Sequence, residues 1–145
     1  MMKKLSLLIV IACFLTFSGC KKDKDEVKVA GKDGRIDMLV GKNWKLTAYT
    51  ENGADALQTT FAACERDNID TYLADGSYKE DEGPTKCNQD DSQIVRTAKW
   101  RLDGSKLIVS QEDLSIEYTI ITLNSTTLKY QVRAFGVDYI YTYTA

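Results

Sequence analysis

Ile69-Asp70-Thr71-Tyr72-Leu73-Ala74-Asp75-Gly76-Ser77-Tyr78-Lys79-Glu80-Asp81-Glu82 is the stretch that decides the fold. Two strand-like runs flank an Asp-Gly pair, and glycine accepts the positive φ that a tight hairpin turn demands. The stretch therefore predicts an antiparallel hairpin. The same pattern continues on both sides. Upstream, Trp44, Leu46, Ala48 and Thr50 alternate with Lys45, Thr47 and Tyr49, the period of two expected of a sheet with one buried face. Downstream, Ile94, Ala98, Trp100 and Leu102 share a face, and Asp103-Gly104-Ser105 turns that strand into Lys106 to Gln111. Leu114, Ile116, Tyr118 and Ile120 share the next one. After Asn124-Ser125, Leu128, Tyr130 and Val132 lie on one side, and the last strand alternates Val137, Tyr139, Tyr141 and Tyr143 with Asp138, Ile140, Thr142 and Thr144.

About eight strands joined mostly by tight turns predict an all-β domain. An antiparallel up-and-down meander buries its apolar faces and removes its exposed edges by closing into a barrel. A two-sheet sandwich carries the same local signals and is the competing architecture. The segment Asn52 to Ala63 breaks the alternation: Leu57 and Phe61 stand four apart, as on a short amphipathic helix. Such an insertion after the first strand lies over one mouth of a barrel.

The N-terminus reads differently. Lys3 and Lys4 precede the apolar run Leu5 to Phe17, and Phe17-Ser18-Gly19-Cys20 follows the order of a bacterial lipobox, with Phe17 where leucine is usual. The apolar run is too short for a transmembrane helix, which needs roughly 20 residues. This predicts a signal peptide over residues 1–19 and acylation of Cys20, with the membrane as a partner through that anchor. The expected location is the bacterial cell envelope, at the outer membrane. Residues 20–37 are rich in Lys, Asp, Glu and Gly and read as a tether reaching roughly 20–25 Å. The barrel domain is expected over residues 38–145.

The 145-residue chain has 19 basic and 21 acidic side chains; without Lys3 and Lys4, 17 basic ones remain. That acidic balance supplies no electrostatic reason to bind nucleic acid. There is no histidine, so the commonest general base and metal ligand is missing. No nucleophile-elbow motif occurs, and the chain does not read as an enzyme. Of four cysteines, Cys13 lies in the signal and Cys20 is the lipid site; Cys64 and Cys87 form an even pair in an exported chain and predict a disulfide. Neither a metal site nor a cofactor is expected. The acids Glu80, Asp81, Glu82, Asp90 and Asp91 follow no known calcium-loop spacing and read as a solvated rim. Arg96, on the Ile94 and Trp100 face, could grip a carboxylate bidentately near a barrel mouth, but burying an unpaired charge is costly and it reads as snorkelling to solvent at the strand end.

Several marks occur in order along the chain: Gly41-Lys42-Asn43-Trp44-Lys45-Leu46, Cys64-Glu65-Arg66-Asp67-Asn68, Tyr72, Asp75-Gly76-Ser77-Tyr78, Gly83, Cys87 and Trp100-Arg101-Leu102. In these the chain resembles the small lipocalin-like lipoproteins of Gram-negative bacteria, over Leu39 to Ala145. It departs from true lipocalins in having two residues between Gly41 and Trp44, and Ala98 stands where these lipoproteins often have glycine. The resemblance implies an eight-stranded barrel with an internal site for a small apolar or amphipathic ligand, and no catalytic residues. On alternation, Trp44, Tyr72, Trp100, Tyr118, Tyr130 and Tyr141 would line such a site, with Leu57 and Phe61 over its entrance. The other reading is a solid barrel, its rings filling the core, that contacts a protein partner of the envelope instead; the sequence does not identify that partner.

Overall fold

A computed structural model describes residues 34–145 of the chain. The signal peptide, Cys20 and most of the expected tether lie outside the described residues. In chain order the elements are α1 (Arg35–Leu39), β1 (Trp44–Glu51), β2 (Ala54–Asp55), α2 (Leu57–Thr60), β3 (Ile69–Tyr72), β4 (Ser77–Asp81), β5 (Ile94–Asp103), β6 (Lys106–Gln111), β7 (Leu114–Leu123), β8 (Thr127–Ala134) and β9 (Val137–Thr144).

From β3 to β9 each strand pairs antiparallel with the next, β3 pairs back to β1, and β1 closes on β9 through Leu46 opposite Tyr143 and Tyr49 opposite Tyr141. The result is a closed eight-stranded up-and-down barrel, with the two-residue β2 added beside the end of β1. Closure of β1 on β9 decides against the sandwich. The turn at Asp75-Gly76 is as expected: Gly76 has φ 79°, and the Asp75 carboxylate accepts from the Ser77 N–H at 2.9 Å.

Two expectations are corrected. Strict alternation along β1 puts Tyr49 on the outer face, yet its side chain is 3% exposed. The register shifts between Leu46 and Ala48, so Thr47 is a bulge. An extra residue reverses the in-and-out phase: Trp44 and Leu46 point inward before it, and Tyr49 after it. The last residues of the expected tether, Arg35 to Asp37, are helical. Helix α1 begins at Arg35, Leu39 is fully buried, and the Trp44 Nε1–H donates to the Leu39 carbonyl at 2.9 Å. This helix stoppers the barrel end that carries the turns at 73–76, 104–105 and 124–126.

That end is solid. Trp44, Tyr72, Tyr78, Trp100, Leu107 and Leu128 are all at or below 2% exposure. Tyr72 packs edge-on to Trp100 with ring centroids 5.7 Å apart, and the Trp100 Nε1–H is satisfied by the Leu73 carbonyl at 3.0 Å. Each of these rings stabilises the fold by about 3–5 kcal/mol relative to alanine.

The opposite end carries the insertion between β1 and β3 and the long β4–β5 connection. The disulfide Cys64–Cys87 joins these two segments, with Cα atoms 5.1 Å apart. Gly83 reinforces the junction. Its φ is +71°, and a Cβ placed there would lie 2.2 Å from the Asp67 carbonyl oxygen, so the two loops approach at a distance only glycine permits.

Candidate functional site

Between the solid end and the strapped end lies a cavity of about 480 Å³. Its outer rim includes the exposed residues Glu65, Asp91 and Val95, so it opens to solvent at the end opposite α1. The barrel order sets β7, β8 and β9 across from β3, β4 and β5, and the two walls differ in chemistry.

One wall is built of tyrosines. Alternation on β8 and β9 turns Tyr130, Tyr141 and Tyr143 inward, and β7 adds Tyr118. The Tyr118 and Tyr130 ring centroids are 4.5 Å apart, those of Tyr130 and Tyr141 5.3 Å. The Tyr130 hydroxyl donates to Tyr143 at 3.1 Å. Burial pushes all four phenols above their ordinary range, so they stay neutral hydroxyls at neutral pH.

The other wall is charged. Asp70 lies two residues before Tyr72 and shares its inward face; Glu80 and Glu82 share the face of Tyr78. Asp70 is 7% exposed and accepts from the Tyr78 hydroxyl at 2.8 Å. Burial raises its carboxyl to about 7; the Tyr78 hydrogen bond opposes that rise, the Glu80 charge adds to it, and Arg96 opposes it. Arg96 is not the snorkelling residue expected. Its Nη2 meets Glu80 Oε2 at 3.0 Å and donates to the Tyr78 hydroxyl at 3.1 Å, with the guanidinium 5.3 Å from that ring's centre. Asn68 donates to the second Glu80 oxygen at 3.2 Å. The acidic run is likewise not simply a solvated rim: Glu82 is 7% exposed.

The residues singled out from sequence divide by position. Tyr118, Tyr130 and Tyr141 line the cavity. Phe61 lines it too, at the C-terminal end of α2, with its ring edge-on to Tyr49 at 5.1 Å. Leu57 is half-buried on α2 and lies outside the lining, as do Trp44, Tyr72 and Trp100, which fill the solid end. The insertion contributes one helical turn, Leu57–Thr60, shorter than the expected helix. Sequence reasoning missed Asp70, Glu82 and Tyr143. The signal for each was the same alternation that located Tyr72, Tyr78 and Tyr141.

A closed eight-stranded meander with one end stoppered and a cavity at the other is the barrel class that in lipocalins holds one small ligand. Residues 39–130 match the lipocalin-like domain model, and the chain belongs to that family. No curated protein and no solved structure matches it.

Proposed function

We propose that the chain is a lipid-anchored protein of the bacterial cell envelope that binds a small amphipathic molecule in the open half of its barrel. The observation that carries the reading is the cavity of about 480 Å³, walled by Tyr118, Tyr130 and Tyr141 and covered in part by Phe61. That volume falls within the roughly 300–1,000 Å³ of small-molecule pockets, and an aromatic wall facing a charged one suits an occupant with both an apolar body and a polar group. The lipobox at Cys20 supports the anchor. The chain enters the barrel through α1 at the stoppered end, so an anchor there leaves the mouth at the far end. The role is binding, and no catalytic step is assigned.

The test is a Nile red titration of residues 34–145, which keep α1 and its buried Leu39. Saturable binding is expected, with Phe61→Ala speeding dye release and Tyr130→Ala weakening binding while destabilising the fold. Binding that ignores both substitutions, or none at all, would favour the solid-barrel interaction protein. For the anchor, Cys20→Ala should abolish acyl labelling of the full chain, since the thiol is the acceptor; unchanged labelling refutes it.

A further inference from the structure

Of the cavity's lining groups, Arg96 keeps a buried Nε without an acceptor, and Glu82 is the unsatisfied carboxylate. It lines the cavity, its side chain is 7% exposed, and among the described residues no donor reaches its buried Oε2. A buried carboxylate oxygen without a donor is costly, and native structures rarely leave one unexplained. The other lining carboxylates are engaged. Glu80 holds Arg96 and Asn68, and Asp70 holds Tyr78. Glu65 accepts from the Ala62 N–H at 2.7 Å, and Asp91 from Asn88 at 3.3 Å.

The charge balance points the same way. Among the described lining residues Arg96 is the sole cation, set against Glu65, Asp70, Glu80, Glu82 and Asp91. Arg96 spends its Nη2 on Glu80 and Tyr78 and keeps only a buried Nε without an acceptor, so an entering anion would meet a wall on which five carboxyl groups outnumber one guanidinium. Across from the acids stand the lining tyrosines, a residue type whose ring attracts cations through its quadrupole. A metal ion fits less well. Hard cations want six to eight converging oxygens, and no group of three candidate ligands converges among the described residues.

We propose that the cavity takes an amphipathic organic cation, a protonated amine on an aromatic or aliphatic body, with the ammonium donating to the Glu82 carboxylate and the body against the tyrosine wall. This rests on the binding role proposed above and names the class of its ligand. Asp70 reinforces the preference: its carboxyl titrates near neutrality, and an adjacent ammonium favours its ionised form.

Three probes of nearly equal size separate charge from shape: tryptamine (cationic), tryptophol (neutral) and indole-3-acetate (anionic). Each is titrated calorimetrically into the full chain in phosphatidylcholine nanodiscs, with empty nanodiscs subtracted. Tryptamine should bind at least tenfold more tightly than tryptophol, and indole-3-acetate more weakly than both. Glu82→Gln should lower tryptamine affinity about tenfold and leave tryptophol unchanged. Tryptophol binding as tightly as tryptamine, or a Glu82→Gln effect equal on both, overturns the cation assignment while leaving the cavity's binding role intact. If neither these probes nor Nile red binds, both fall. Should Glu82→Gln fail to fold, the ranking of the three probes on the unmutated chain still decides. Calcium displacing tryptamine at equal concentration would also overturn the assignment in favour of a metal.

Discussion

Gly83→Ala tests the strapped end of the barrel most sharply. Two terms add at this position. The backbone stands at φ +71°, a conformation that disfavours an L-residue by roughly 1–2 kcal/mol. The new Cβ would also meet the Asp67 carbonyl oxygen at 2.2 Å and its carbon at 3.0 Å. Both are backbone atoms, so no rotamer change relieves the overlap, and the loops must separate. Overpacking of that kind costs roughly 1–3 kcal/mol, giving about 2–5 kcal/mol in total. A domain of about 110 residues loses about 4 °C of Tm per kcal/mol, so the expected fall is roughly 8–20 °C. Gly104→Ala is the control: it too has positive φ, at +54°, but nothing lies within 4 Å of its Cβ position. It should show the conformational term alone. The assay is thermal and urea unfolding of both variants with the disulfide intact. Equal losses at Gly83 and Gly104 would refute the close approach, and with it the account of how the mouth is held.

Three further outcomes are expected. Replacing Cys64 and Cys87 by serine frees a loop with sequence separation 23 and should lower stability by about 3.4 kcal/mol in the chain-entropy model, read as a urea midpoint shift; no shift would mean the bridge constrains nothing. Asp70 keeps its proton to about pH 7 in the fold, against 3.8 ordinarily. Its contribution is therefore fully present below about pH 4 and is lost as the pH rises through 7, at up to about 1.4 kcal/mol per unit. Asp70→Asn should remove that decline and stabilise the protein at pH 8, whereas an unchanged pH profile would refute the burial argument. Phe135 is fully exposed at φ 52° in the two-residue turn between β8 and β9, so Phe135→Asn should raise stability by about 1 kcal/mol, because asparagine tolerates that conformation better; a destabilised variant would show that the ring has a partner.

How much of this was legible in the sequence varied from residue to residue. The Asp75-Gly76 hairpin and the alternation of β7 to β9 were readable because turn chemistry and one-sided burial are local. The disulfide was readable because an even cysteine pair in a chain whose N-terminus reads as a signal peptide leaves few options. The bulge at Thr47 carried no local signal: only the pairing of β1 with β9 requires the extra residue, and Tyr49 moves inward as a consequence. Asp70, Glu80 and Glu82 sat in phase with Tyr72 and Tyr78, but carboxylates default to solvent. What ties the half-buried pair Glu80 and Arg96 to the cavity wall is an arrangement with Tyr78 and Asp70 that appears only when β3, β4 and β5 align. Nor could alternation say at which end of the barrel an inward ring lies. Trp44 and Trp100 share the inner face with Tyr130 and Tyr141, yet the first two fill the stopper end, and the latter two reach the cavity.

The central claim, that the open half of the barrel is a binding site, is tested most directly by mapping aromatic-ring NMR shifts in residues 34–145 on saturation with Nile red. The account predicts shifts at Tyr118, Tyr130, Tyr141, Tyr143 and Phe61, with Trp44, Tyr72 and Trp100 unmoved. Shifts confined to the exposed Phe135, or rings that do not respond at all, would contradict it.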